Sequence, residues 1–125
     1  MLALVVDDSR VERELLARTL EAHGLTVERA CSGEEALELL DNCLDPDILF
    51  VDLYMPGMDG IDLIRRVRSD HRFTNLKIIM VSSADDQNTI AKSLRSGADD
   101  YVMKPYTQDA ILRKLSFVLE GFADD

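Results

Sequence analysis

Basic residues are scarce in this sequence. Its 14 lysines and arginines stand against 24 aspartates and glutamates, a formal net charge of -10. That balance argues against unaided binding to nucleic acid or to a membrane surface, both of which call for basic patches. Long apolar runs are missing too. None approaches the roughly 20 residues that span a bilayer, and Leu2–Val6, after Met1, is too short for a signal-peptide core. The expectation is a cytoplasmic protein. Cysteine is limited to Cys31 and Cys43, which lack metal-ligand spacing; in a reducing compartment they are expected to be small buried hydrophobes. With no linker, repeat or low-complexity segment, residues 1–125 are expected to form one domain. Such a chain buries about two-thirds of its unfolded surface.

What is present is organised around Ile48–Gly60, which reads ILFVDLYMPGMDG. The four apolar residues Ile48–Val51 are too few for a helix and suit a strand buried on both faces. Asp52 ends that run, and Pro56, Gly57 and Gly60 punctuate the loop beyond it. A carboxylate at the tip of a buried strand is costly to desolvate unless a cation or hydrogen-bond donors meet it.

The other segments alternate in kind. Leu2–Val6 is a continuous apolar run, hence a central parallel strand, and ends in Asp7-Asp8. Ser9 and Glu12 have capping-box spacing for a helix whose inward face is expected at Val11, Leu15, Leu16, Thr19 and Leu20, with His23 and Gly24 at its end. Leu25–Ala30 alternates polar and apolar, as an edge strand does. Ser32 and Glu35 repeat the capping spacing before a helix with Ala36, Leu37, Leu39, Leu40 and Cys43 inward. Asp59 can cap a helix that buries Ile61, Ile64 and Val67 and leaves Arg65, Arg66 and Arg68 solvated. Lys77–Val81 is a further buried strand ending in Ser82-Ser83. The helix after it is thinly apolar, with Ile90, Ala91 and Leu94 as its candidates for burial and Gly97 as its stop. Tyr101–Met103 closes on Lys104-Pro105, and Thr107 caps a last helix with Ile111, Leu115, Val118, Leu119 and Phe122 on one face.

Five strand–helix alternations predict an α/β domain: a doubly wound parallel sheet with helices on both faces. In such a fold the carboxyl ends of the strands share one edge, where ligands bind. Four apolar strands end here in Asp7-Asp8, Asp52, Ser82-Ser83 and Lys104. Three carboxylates, a hydroxyl and an ammonium should therefore converge. Crowded like charges call for a divalent cation, and a hard oxygen site suits Mg²⁺.

These motifs as a set resemble the receiver domain of bacterial two-component response regulators, the chemotaxis-regulator type included, over essentially the whole chain. The Met55–Gly60 loop resembles the loop that follows the family's phosphorylated aspartate. The resemblance implies a flavodoxin-like sheet of five strands ordered 2-1-3-4-5. It implies that Asp52 takes a phosphoryl group from a histidine kinase or histidine phosphotransfer protein. Asp8, Asp52 and the backbone carbonyl of Tyr54 would hold Mg²⁺, with Asp7 acting through water. Lys104 and Ser82 would meet the phosphoryl oxygens, Tyr101 would be the switch aromatic that turns inward, and Pro105 the cis proline. The switched surface, at the fourth helix, fifth strand and fifth helix, would bind a downstream protein target. Tyr54 and Ala84 depart from common family residues at positions that tune phosphoryl lifetime. With three residues after Phe122, the expectation is a chain without an output domain, either a stand-alone regulator or a receiver cut from a longer one.

A Mg²⁺-dependent phosphatase forming an aspartyl-phosphate is the rival reading. Such enzymes usually carry an Asp-x-Asp pair on the first-strand loop and a cap domain, whereas here Asp7 and Asp8 are adjacent and Asp52 lies on another strand. The expectation is a protein that catalyses only its own phosphorylation and dephosphorylation.

Overall fold

The computed structural model describes residues 1–119. Strands β1 (Leu2–Val6), β2 (Thr26–Ala30), β3 (Ile48–Asp52), β4 (Lys77–Ser82) and β5 (Asp100–Met103) alternate with helices α1 (Arg10–Ala22), α2 (Gly33–Asp41), α3 (Gly60–Arg68), α4 (Gln87–Arg95) and α5 (Gln108–Val118). All strand pairings are parallel, in the order β2-β1-β3-β4-β5. The fold class and strand order are those expected, with β2 at an edge.

Because side chains alternate along a strand, each apolar run feeds two cores. Leu4, Val6, Leu49, Val51, Ile78 and Met80 pack on one face with Ala36 and Leu40 of α2 and Ile61, Ile64 and Val67 of α3. Ala3, Val5, Ile48, Phe50, Ile79 and Val81 pack on the other with Leu16, Ala17 and Leu20 of α1 and Ile111 and Leu115 of α5. This two-sided burial is the reason the central strands carry no polar residue between their first and last positions.

Every helix start is capped by a side chain: Ser9, Ser32, Asp59, Asp86 and Thr107 each accept a backbone N–H of the first turn. Only Asp59 forms the reciprocal box, with Asp62. Glu35 instead accepts from the N–H of Cys31 at 3.1 Å, and Glu12 is drawn to Lys104.

Several expectations need correction. Val11 and Leu15 are exposed on α1, at 69% and 60%, because Leu16, Ala17 and Leu20 form the stripe that meets the sheet. Cys31 and Cys43 are exposed rather than buried. Cys43 sits just past the end of α2 at φ +73°, where the chain turns away from the core. Arg65 and Arg66 are solvated as expected, but Arg68 is not: its guanidinium contacts Phe73, Gly97 and Asp99. In α4 the one buried residue is Ser93, its hydroxyl donating to the carbonyl of Thr89 at 2.9 Å. Ile90 and Ala91 are half-buried and Leu94 is exposed. In α5, Ile111, Leu115 and the adjoining Leu119 are buried while Val118 is half-buried; Phe122 lies outside the described residues.

Candidate functional site

Parallel pairing brings the carboxyl ends of β1, β3, β4 and β5 to one edge. There the carboxylates of Asp7, Asp8 and Asp52 offer oxygen atoms that all lie within 4.8 Å of one another. Asp7 and Asp52 are buried, whereas Asp8 is exposed. The loop after β3 is held tightly beneath them. Gly60 N–H donates to the carbonyl of Leu53 at 2.9 Å, and a Cβ on Gly60 would stand 2.5 Å from the carbonyl oxygen of Asp52. A glycine is therefore needed for α3 to start so close to the strand end.

Lys104 enters from the end of β5. Its backbone N–H donates to the carbonyl of Ser82 at 2.8 Å, which extends the β4–β5 pairing. Its ammonium then donates to Asp7 at 3.2 Å, Asp52 at 3.3 Å and Glu12 at 3.1 Å. The Lys104–Pro105 peptide is cis. Burial opposes the lysine's charge, but the nearby charges of Asp52 and Asp7, with hydrogen bonds to Glu12 and Asp7, outweigh it, so its pKa stands above the ordinary lysine value. Asp52 is raised as well, to about 6, first by burial and then by the charge of Asp7, against the lowering pull of Lys104.

Ser82 reaches the same edge fully buried, its hydroxyl accepting the N–H of Ala84 at 3.1 Å. Its neighbour Ser83 is the one that lines the open cleft. That cleft, about 750 Å³, runs from Asp8, Asp52 and Lys104 along α1 past Glu12, Leu15 and Thr19. The side chain of Tyr54 lies at its mouth, 60% exposed. Tyr101 is buried, and its hydroxyl donates to the carbonyl of Ala84 at 2.8 Å. Ala84 is thus gripped at its N–H by Ser82 and at its carbonyl by Tyr101.

The residues singled out in the sequence are gathered at one strand edge, apart from Tyr101, which sits behind it in the core. Glu12 is the member that sequence reasoning missed. Its spacing from Ser9 pointed to a capping box, but Asp7 takes the N–H of Ser9 at 2.9 Å, leaving Glu12 free to reach Lys104. Among the described residues no helix is long and apolar enough to cross a membrane.

Sheet and site together define a flavodoxin-like module with an acidic, lysine-bridged centre at its topological switch point. The response regulator receiver domain family matches residues 3–116. Chemotaxis protein CheY1 of Helicobacter pylori is 39% identical over 120 residues, which cover 95% of this chain and 97% of that protein. Response regulator MprA of a Mycobacterium species is 37% identical over 122 residues, 98% of this chain but 52% of MprA. Among solved structures, Vibrio cholerae chemotaxis protein CheY4 superposes with a TM-score of 0.89 at 29% identity, covering 94% of this chain and 98% of that one. The chain belongs to the response regulator receiver domain family of two-component signalling.

Proposed function

We propose that residues 1–125 act as one receiver domain in which Asp52 accepts a phosphoryl group from a histidine kinase or histidine phosphotransfer protein. The observation that carries this reading is the buried Asp52 carboxylate, 3.3 Å from the ammonium of Lys104 and crowded by Asp7 and Asp8. In the transfer, an Asp52 oxygen forms a bond to phosphorus as the bond to the donor imidazole nitrogen breaks. Phosphoryl transfer needs positioning and charge neutralisation more than covalent assistance. Asp52 is positioned by β3 pairing on both sides, and Lys104 offers N–H donors to the oxygens that gain charge.

The donor set fits a hard divalent cation: three carboxylates converge, and one ammonium alone stands among them. Mg²⁺ is the cation this reading implies; Asp8, Asp52 and the backbone carbonyl of Tyr54 would hold it, with Asp7 acting through water. When bound it offsets negative charge on the transferring oxygens. The protein turns over its own phosphoryl group rather than a separate substrate.

Ala84 supports a route from site to surface. If the Ser82 hydroxyl turns to a phosphoryl oxygen, it releases the N–H of Ala84, and the carbonyl held by Tyr101 shifts with that loop. Those movements lead into α4 and β5, beside α5, where a downstream protein target would bind. Acetyl phosphate or phosphoramidate with Mg²⁺ should add one phosphoryl group, read by intact mass. Asp52→Asn should abolish the addition with the fold retained. Stoichiometric labelling of that variant at another residue would refute the assignment.

A further inference from the structure

Lys104 has three N–H donors on its ammonium, and three carboxylates take them: Asp7, Asp52 and Glu12. A phosphoryl group on Asp52 brings further acceptor oxygens and more negative charge. For Lys104 to meet any of them, one of its present partners has to let go. Asp7 and Asp52 are buried at the strand ends, so losing the lysine leaves either carboxylate poorly solvated. Glu12 differs. Its side chain is 47% exposed on the first turn of α1, and water can replace the ammonium as it leaves. Its contact is nonetheless the shortest of the three, at 3.1 Å.

The position of Glu12 is itself built. Arg13 donates from Nη1 to the carbonyl of Asp7 at 2.9 Å, fixing the first turn of α1 against the end of β1. Asp7 takes the Ser9 N–H that Glu12 would otherwise cap. The carboxylate is thus turned from its own helix start toward the cleft that it lines with Asp52 and Lys104.

We propose that Glu12 is a positioning residue that competes with the phosphoryl group for Lys104 and so restrains phosphorylation of Asp52. The inference rests on the phospho-acceptor reading above. Glu12 draws one donor of Lys104 away from the acceptor until the phosphoryl oxygens outbid it.

The test compares the parent with Glu12→Gln and Glu12→Asp. Glutamine removes the charge; aspartate keeps the charge but withdraws it from Lys104 by one methylene. Two quantities are read in Mg²⁺: the rate of labelling by acetyl phosphate, by intact mass, and the affinity for the phosphoryl mimic beryllofluoride, by fluorine NMR. A competing contact with a half-exposed partner corresponds to about three- to fivefold in each, so both variants should label faster and bind the mimic more tightly by that factor. A Glu12→Asp variant that matches the parent would overturn the proposal, since a charge acting at a distance would then suffice. So would two variants that are unchanged or slower. A parent that takes no label at Asp52 would instead refute the phospho-acceptor reading itself, which keeps the two failures distinct.

Discussion

Arg68, at the end of α3, donates from Nε to the carbonyl oxygen of Gly97 at 2.9 Å. The two are fitted to each other: Gly97 has φ +124°, and a Cβ there would come within 2.5 Å of the Arg68 side chain. The same guanidinium holds the carbonyl of Phe73 and the carboxylate of Asp99, each at 3.0 Å. The C-terminal end of α4 is therefore bolted to α3, while the body of that helix buries only Ser93.

Arg68→Ala should loosen that attachment. The carbonyls of Gly97 and Phe73 lose a charged donor, and a loss of about 1–3 kcal/mol of stability is expected, measured by urea unfolding. Hydrogen exchange should accelerate in α4 more than in the central strands. Uniform acceleration throughout the domain would show that Arg68 has no particular hold on α4.

The raised pKa of Asp52 sets a pH dependence for the metal-free protein. Its value rises from 3.8 to about 6, so the folded state holds the proton more tightly than the unfolded chain. The stabilisation linked to this group is fully present below pH 3.8 and is lost as pH rises through about 6. At about 1.4 kcal/mol per pKa unit the loss is at most ~3 kcal/mol. Asp52→Asn should remove it, making the variant more stable than the parent at pH 7–8 but not near pH 4. Urea unfolding in a chelator across that range checks the sign; a stability difference independent of pH would contradict it.

Mg²⁺ should raise the stability of the parent, by about 2.7 kcal/mol at a hundred times its dissociation constant. Asp8→Ala should shrink that increment at a given Mg²⁺ concentration while the fold is retained, because Asp8 is exposed and removing it relieves repulsion. Thermal melts over a Mg²⁺ titration provide the measurement. An unchanged affinity would remove Asp8 from the ligand set.

The sheet was readable because burial on both faces leaves a strand no choice but apolar residues, and the polar residue that ends each run then marks the binding edge. Asp7, Asp8, Asp52, the pair Ser82-Ser83 and Lys104 were all found from that one rule, and the family resemblance then singled out Ser82. Helix faces were less readable. A stripe from Val11 to Leu20 fits several rotations of α1, and the choice of Leu16 and Ala17 over Leu15 depends on where the sheet lies. Arg68 and Glu12 were misread for another reason. Each looked like part of its own helix, as a solvated charge or a cap, and its partner lies 29 or 92 residues away in sequence. Neither spacing nor periodicity carries such information.

Tyr54 and Ala84 should set how long the phosphoryl group lasts. Hydrolysis needs water in line with the bond from phosphorus to the Asp52 oxygen. Tyr54 stands at the mouth of the cleft beside Asp52, where its ring can screen that approach, and the methyl of Ala84 cannot orient water. Tyr54→Asn and Ala84→Glu should each shorten the lifetime, and the double variant most. Phosphate release in Mg²⁺ after removal of the donor is the readout. A double variant as slow as the parent, with normal phosphorylation, would show that neither position governs the water.

Pairing also governs the chemistry through register. Val6 lies opposite Val51, Asp52 opposite Val81, and Ser82 opposite Met103, so Asp52, its neighbouring acids and Lys104 hang from adjoining rungs of one ladder. Displacing β3 by a single rung would turn the Asp52 carboxylate toward the opposite layer. A partly melted molecule therefore keeps no weakened version of the site. Its competence should vanish in step with the strand amides, so any population that took up a phosphoryl group should still have its central ladder intact.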